Sequence, residues 1–513
     1  MVHRPLRVLM VSSEVEGFAR TGGLGDVLTG LSKALAARGA DVVVVTPRYG
    51  VTRTPETARP WADPLVVPVG WGAGDVRSMT VHEVKTPPKA GEGSLRVCLL
   101  DDPGLFGRDG IYGDRHGTFG DNAYRFAALS SGALAVSDRV WGAPTTFGGT
   151  GPDVLHAHDW HAALAIVYAK LTRGVGWRER PAVFTIHNLA FQGVLGFDEL
   201  DVLGVPRAAF HEGVLAHDGR VNLMKGAIQL ADRVTTVSPT YAREIMTPEF
   251  GYGLDFFLRT ESSKIVGIVN GIDVEDFDPG RDSSIDVTYT AESPGAARAK
   301  NRAALLRTSG LDATPDAPLF AVVSRLTWQK GIDTFADVVP GLVDRGARVL
   351  FVGTGDVDLE DRVRGLAARF PGRVAARIAF DANLARQTYA AADFVVVPSR
   401  YEPCGLTQLY AMRYGAIPIV APVGGLIDTV TDCARPGGTG IVADGGSAHA
   451  LFEACVRALD LHRDPEVKDR VVAAAMAADN AWSRSADDYL VLYDGTVEPR
   501  SSRAMPIATR FRP

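Results

Sequence analysis

The sequence predicts a serial α/β chain folded as two domains built on parallel sheets. Three observations carry that expectation. Its 513 residues exceed what one hydrophobic core fills. Short apolar runs of strand length recur along the chain, and the segments between several of them carry helical periodicity. The runs are "RVLMVSS", "DVVVVTP", "RVCLLD", "DVLHAHD", "AVFTIHN" and "RVTTVS" in the first half, then "LFAVVSR", "RVLFVG", "DFVVVPS" and "IPIVAP" in the second. Each reads as a strand buried on both faces, as in a parallel sheet covered by helices.

After the first run comes "RTGGLGD", residues 20–26. Asp26 is a plausible N-cap, Val27, Leu31 and Leu35 fall on one helical stripe, and Gly39 can end the helix. Gly22, Gly23 and Gly25 permit close approach of a ligand, and the Arg20 guanidinium can fork onto phosphate oxygens. A loop leading into a helix N-terminus is anion-binding geometry, although GGxG alone also suits a plain tight turn.

Further on, "HAHDWHA" sets His156, His158, Asp159 and His161 at one strand end, and "FTIHN" sets His187 and Asn188 at another. Neither HExxH nor a Cys/His spacing is present, so hydrogen bonding at polar strand ends is the better reading and no metal is expected. Residues 269–302 are polar and rich in Gly and Asp, and a fresh series of strands follows them. The junction is placed there, giving domains 1–268 and 269–478. A helix over 479–496 follows, then a polar tail, 497–513, expected to be disordered.

In the second half "SRLTWQKG" carries Arg325 and Lys330 just beyond a strand, at the end where open α/β sheets bind ligands. "PSRYEPCGLTQLYAMRYG" again runs strand, loop and helix, with Glu402 and Gly405 in the loop and the helix starting near Leu406. An acid beside an anion-ready helix end suits a ligand with both phosphate and hydroxyl groups, such as a nucleotide sugar. "VGTGDVD" imitates a dinucleotide fingerprint, but Asp358 stands where its third glycine belongs.

Bulk properties narrow the class. With 46% hydrophobic and 22% charged residues and a net charge of −6, the chain offers no general attraction to nucleic acid or anionic membrane. Four cysteines without CxxC spacing suggest neither a disulfide framework nor structural zinc. The N-terminal apolar run is too short and too interrupted for a signal peptide, and a cytoplasmic location is expected.

Together, "RTGGLGD", "HAHDWHA", "FTIHNLAFQG", "TTVSPTYAREI", "VNGID", "VVSRLTWQKG" and "SRYEPCGLTQLYAMRYGAIPIV" resemble the bacterial glycogen and plant starch synthases, in order and over about residues 6–495. The resemblance implies the GT-B fold, two Rossmann-like domains facing a deep interdomain cleft, with the last helix returning to the first. It implies an acceptor-binding, catalytic first domain and a nucleotide-sugar-binding second. The implied reaction is retaining transfer of glucose from ADP- or UDP-glucose to the non-reducing end of an α-1,4-glucan or malto-oligosaccharide.

Carried over by position, Arg325 and Lys330 look like the diphosphate clamp, assisted by backbone groups at Leu406 and Thr407. Glu402 looks like the carboxylate near the donor sugar, in one loop with Cys404 and Gly405. Asp159, His187, Asn188 and Asn270 match sugar-holding positions, Tyr112 an aromatic of the cleft, and Phe380 an aromatic against the base. Gly424 and Gly425 belong to a late donor-side motif. No cofactor or metal is implied.

Two departures touch the donor end. Arg20 stands where the family has lysine, and Val423 where it has threonine. They motivate an alternative with the same fold and chemistry but another donor, such as a dTDP-linked deoxy- or aminosugar, making a malto-oligosaccharide mimic. A nicotinamide dehydrogenase lacks its GxGxxG loop here, and a non-catalytic carbohydrate-binding protein would be expected to have lost the clamp.

Overall fold

The computed structural model describes residues 4–70, 75–145, 149–314 and 316–497. Residues 498–513 of the expected tail lie outside them. The chain divides into two compact units, passing from the first to the second after Gly271 and returning after Ala481, while Ser238–Tyr241 groups with the second.

The strands of the first unit are β1 (Arg7–Val11), β2 (Asp41–Pro47), β3 (Arg59–Pro60), β4 (Leu65–Pro68), β5 (Val76–Thr86), β6 (Leu95–Asp101), β7 (Gly113–Asp114) and β8 (Gly117–Thr118). They continue with β9 (Val154–His158), β10 (Ala182–Ile186), β11 (Val194–Leu195), β12 (Ala216–His217), β13 (Arg220–Asn222), β14 (Arg233–Thr236) and β15 (Ile265–Gly267). The main sheet runs β15-β14-β10-β9-β1-β2-β6-β5-β3, with β4 on β5. From β15 to β6 every pairing is parallel. The order along the sheet reverses between β1 and β9, which makes that boundary a doubly wound switch point.

The parallel sheet expected from the sequence carries an antiparallel edge, where β5 runs antiparallel to β6, β3 and β4, and two small antiparallel sheets, β11-β13-β12 and β7-β8, stand apart from it. The sequence of β5, VRSMTVHEVKT, intersperses single apolar residues among polar ones, only Met79 and Val81 are buried, and solvent reaches much of the rest. A half-covered strand has no continuous apolar run, so it escapes a search for such runs.

The helix after β1 spans Gly23–Ala37 and buries Leu24, Val27, Leu28, Leu31 and Leu35. Its N-cap is Gly22, so Asp26 lies inside the first turn rather than capping it. The helix Trp482–Val497 packs Trp482, Ala486, Tyr489 and Tyr493 into the same core. Each large apolar side chain buried in this core, such as Leu28 or Leu31, contributes about 1.5–3 kcal/mol. Gly30 makes this contact possible, because a Cβ there would come within 1.9 Å of the Trp482 indole nitrogen.

The second unit carries β16 (Leu319–Val323), β17 (Arg348–Val352), β18 (Val374–Arg377), β19 (Phe394–Val397), β20 (Ile417–Val420) and β21 (Ile441–Val442). Its sheet order is β18-β17-β16-β19-β20-β21, parallel throughout, with the reversal between β16 and β19. Each unit is thus Rossmann-like. Among the described residues no helix is long and apolar enough to cross a membrane.

Candidate functional site

In the first unit the loops beyond β1, β9 and β10 meet at the switch point. Glu14, just past β1 and only 3% exposed, accepts hydrogen bonds from the Thr21 N–H at 2.7 Å, the Thr21 hydroxyl at 3.0 Å and the Gly22 N–H at 3.2 Å. It also accepts from the Tyr112 hydroxyl at 2.5 Å. This carboxylate fastens the glycine loop and the Tyr112 segment to the end of β1. Sequence reasoning passed over Glu14, and the one signal available was its place as the first ionisable residue after the strand.

Tyr112 in turn stacks on the His161 ring, centroids 4.6 Å apart. Arg20 spans two nearby carboxylates, Nη1 to Asp26 in the first helical turn at 2.6 Å and Nε to Glu16 at 2.9 Å. Burial pushes Asp26 up to about 7 against the pull of Arg20. Gly23 opens the helix at an N-terminus without a side-chain cap.

Beyond β9, Asp159 has a left-handed backbone, φ +56°. Its Oδ1 accepts the His187 N–H at 2.8 Å and the Asn188 N–H at 3.3 Å, tying the ends of β9 and β10 together. Burial pushes this carboxyl up to about 7 although both N–H groups favour its ionised form. His158 Nδ1 lies 3.0 Å from His187 Nε2, and His156 is held between the Tyr493 hydroxyl at 2.8 Å and the Thr185 hydroxyl at 2.6 Å.

Burial lowers His156, His161 and His187 to about 3, so near neutral pH these rings are uncharged. Uncharged imidazoles and buried carboxyls are hydrogen-bonding groups suited to hydroxyls rather than to anions. Asn270 lies beyond β15, and its buried Oδ1 has no hydrogen-bond partner among the described residues. No hydrogen bond among those residues joins it to Asp159 or His187. Also among the described residues, no group of three or more His, Cys, Asp and Glu is placed to hold a metal ion.

The second unit has the opposite character. Lys330 Nζ meets Glu402 Oε2 at 2.5 Å, and the Ser399 hydroxyl donates to the same oxygen at 2.8 Å. The pair sits where the loops after β16 and β19 approach, beside a small cavity lined by Ser324, Lys330, Ser399 and Thr407 among others. Arg325 is exposed and reaches Gln329 Oε1 at 3.3 Å. Gln329 and Arg400 staple the loops together: Gln329 Nε2 donates to the Tyr401 carbonyl at 3.2 Å, and the Arg400 N–H donates to the Gln329 carbonyl at 2.9 Å.

Gly405, φ +76°, turns the chain into the helix Thr407–Arg413, whose N-cap Leu406 offers no side-chain bond. Gln408 fills the turn from beneath, donating to the carbonyls of Cys404 at 3.1 Å and Gly405 at 2.9 Å. The Gly425 N–H donates to the Glu402 carbonyl at 3.1 Å, which joins the late glycine pair Gly424–Gly425 to this loop. Val423 is the N-cap of the helix Gly424–Thr429 and makes no side-chain cap bond. Threonine there would supply a capping hydroxyl, and valine has none. Phe380, 78% exposed, lies beyond β18. At "VGTGDVD" the Gly355 N–H is occupied by Glu360 at 3.0 Å, so the apparent fingerprint serves its own helix.

The profile of the starch synthase catalytic domain matches residues 7–260, and that of the glycosyl transferases group 1 matches residues 317–461. The chain is 41% identical over 499 residues to the glycogen synthase of Myxococcus xanthus, covering 96% of this chain and 100% of that one. It is 40% identical over 502 residues to glycogen synthase 2 of Agrobacterium fabrum, covering 96% and 93%. It superposes on the catalytic domain of starch synthase IV from Arabidopsis thaliana, solved bound to ADP and acarbose, with a TM-score of 0.86 at 29% identity, covering 96% of this chain and 100% of that one.

Proposed function

The chain belongs to the glycogen and starch synthase family of GT-B glycosyltransferases, and from that premise we propose that it lengthens an α-1,4-glucan with glucose taken from ADP-glucose. The observation that carries the reading is the Lys330–Glu402–Ser399 cluster at the switch point of the second unit. A cation beside a buried carboxylate suits a ligand with a diphosphate at one end and sugar hydroxyls at the other.

In this reading Arg325 and Lys330 stabilise charge on the departing diphosphate, with the backbone N–H groups of Leu406 and Thr407. Glu402 accepts hydrogen bonds from the donor sugar, in the loop of Cys404 and Gly405 and next to Gly424 and Gly425. Phe380 faces the base. Asp159, His187, Asn188 and Asn270 hold sugar hydroxyls, Tyr112 borders them, and Arg20, Gly22, Gly23 and Asp26 shape the glycine loop. Glucose is transferred with retention on the face the diphosphate leaves, and the leaving phosphate takes the acceptor proton. The chain's part is preorganised electrostatics and positioning.

The reading takes two fixed cations as the counter-charge and no metal cofactor, so chelator should leave the rate unchanged. It places the enzyme in the cytoplasm, the compartment suited to a chain with so few cysteines.

Mass spectrometry of products from ADP-, UDP- and dTDP-sugars with maltotriose and glycogen tests the assignment. Dominant hexose addition from ADP-glucose is expected. Exclusive use of a dTDP-deoxysugar would replace the reading with its alternative, which relatives named glycogen synthase do not favour.

A further inference from the structure

We propose that Phe191 and Tyr252 form a stacking platform for the acceptor glucan, next to the hydrogen-bonding cluster at the ends of β9 and β10. The proposal deepens the reading above and rests on it for the identity of the ligand.

The chain leaving β10 passes directly from His187 and Asn188 into a tight turn. The Asn188 side chain accepts the Ala190 N–H at 3.0 Å, and its carbonyl accepts the Phe191 N–H at 3.4 Å. That turn projects Phe191 outward, 60% exposed, three residues from the cluster. The next residue, Gln192, is buried and works as a cross-brace. Its Oε1 accepts from Asn222, at the end of β13, at 2.6 Å, and its Nε2 donates to the Tyr252 carbonyl at 3.0 Å. One buried amide therefore fixes the backbone beneath both aromatics.

Tyr252 is itself unusual. Among the described residues four non-glycine positions have a left-handed backbone: Asp159, Asp218, Asp316 and Tyr252. Aspartate tolerates that region, whereas a bulky aromatic does so only at a conformational cost. Its side chain is 42% exposed. An exposed aromatic held in a strained conformation by a buried brace is a feature of a binding surface.

The chemistry points to a neutral polysaccharide. Each pyranose has an apolar C–H face that lies flat on an aromatic ring, and hydroxyl edges that the neighbouring Asp159–His187–Asn188 cluster can meet.

The test compares Phe191→Ala, Phe191→Trp and Tyr252→Gly with the wild-type chain, using maltoheptaose kinetics and retardation in gels containing glycogen without donor. Glycine adopts the left-handed backbone freely, so Tyr252→Gly removes the ring and keeps the local backbone conformation accessible, and Phe191→Ala removes the other ring independently. Phe191→Ala and Tyr252→Gly are each expected to raise KM for maltoheptaose about 5- to 10-fold and to weaken glycogen retardation, with the donor KM within twofold. Phe191→Trp should behave nearly as the wild type.

Unchanged retardation and unchanged acceptor KM in both ring-removing variants would overturn the platform while leaving the transferase reading intact. A donor KM rising in step with the acceptor KM would also overturn it. If the wild type is retarded in a Phe191-dependent way but extends no glucan from any nucleotide sugar, the platform stands and the activity reading fails. A wild type neither retarded nor active overturns both.

Discussion

The two switch points share one strand order and have opposite electrostatics. In the first unit the ends of β1, β9 and β10 and the loops beyond them bury Glu14, Asp159, His156, His158 and His161, with His187 half-buried beside them, and desolvation holds these rings uncharged. In the second, the loops beyond β16 and β19 keep Arg325 exposed and Lys330 paired with Glu402. One fold thus yields a cluster of neutral imidazoles in one copy and an ionic pair in the other. The difference lies in the loops and in the strands that lead to them: β9 itself carries His156 and His158 and β10 carries Thr185, whereas β16 and β19 are plain apolar runs.

The largest effect should fall on the ionic side. Lys330→Ala is expected to lower kcat about 100-fold or more, since a charge-assisted bond to a diphosphate is lost. It should also lower the melting temperature, because Glu402, 5% exposed, is left without its cation. Arg325→Ala should cost about 10- to 100-fold in kcat with little change in melting temperature, the side chain being exposed. Steady-state kinetics beside calorimetry checks both. Equal melting losses would erase the distinction between a buried pair and a free-standing clamp.

The neutral side should reveal itself through pH. The histidines at about 3 in the fold titrate near 6.5 when unfolded, so as pH falls from 6.5 toward 3 the unfolded chain binds protons that the folded rings refuse. Stability is full above 6.5 and declines below it, by up to about 1.4 kcal/mol per pH unit for each histidine. Asp159 works the other way. With its folded value raised to about 7, its contribution is present at low pH and lost as pH rises from 3.8 through 7. Urea unfolding at pH 7 and pH 5 measures the net, expected to be a loss at pH 5. A flat profile would mean that the cluster is hydrated and the contrast between the units is wrong.

Gly30→Ala probes the floor beneath the neutral site. Overpacking against Trp482 should cost about 1–3 kcal/mol by denaturant titration while leaving both substrate KM values unchanged. The smallest effect is expected from Arg20→Lys. An ammonium can keep one carboxylate partner but cannot fork across Glu16 and Asp26, and such partly exposed pairs contribute under about 1 kcal/mol. Product analysis with the nucleotide-sugar panel should show an unaltered donor preference. A switch of donor would return Arg20 to the role of selectivity residue.

Much of this was readable in the string. Each of the ten apolar runs contains a strand, the glycine loop does open a helix, and seven motifs in register pointed to the family. Three features were not readable. The antiparallel β5 edge lacks a continuous apolar run. The helix after β1 begins three residues before the carboxylate that resembled its cap. Glu14 carries no motif of its own.

Apolar pattern, glycine placement and residue type are properties of neighbours in the chain, and they settle which segments become strands, which loops can approach a ligand and which chemistry each loop can offer. Partnership is not such a property. Glu14 meets Tyr112 across 98 positions, Asp159 meets the His187 N–H across 28, and Lys330 meets Glu402 across 72. Those distances close only because strand order brings particular loop ends side by side, and burial at that point then decides which groups keep their charge.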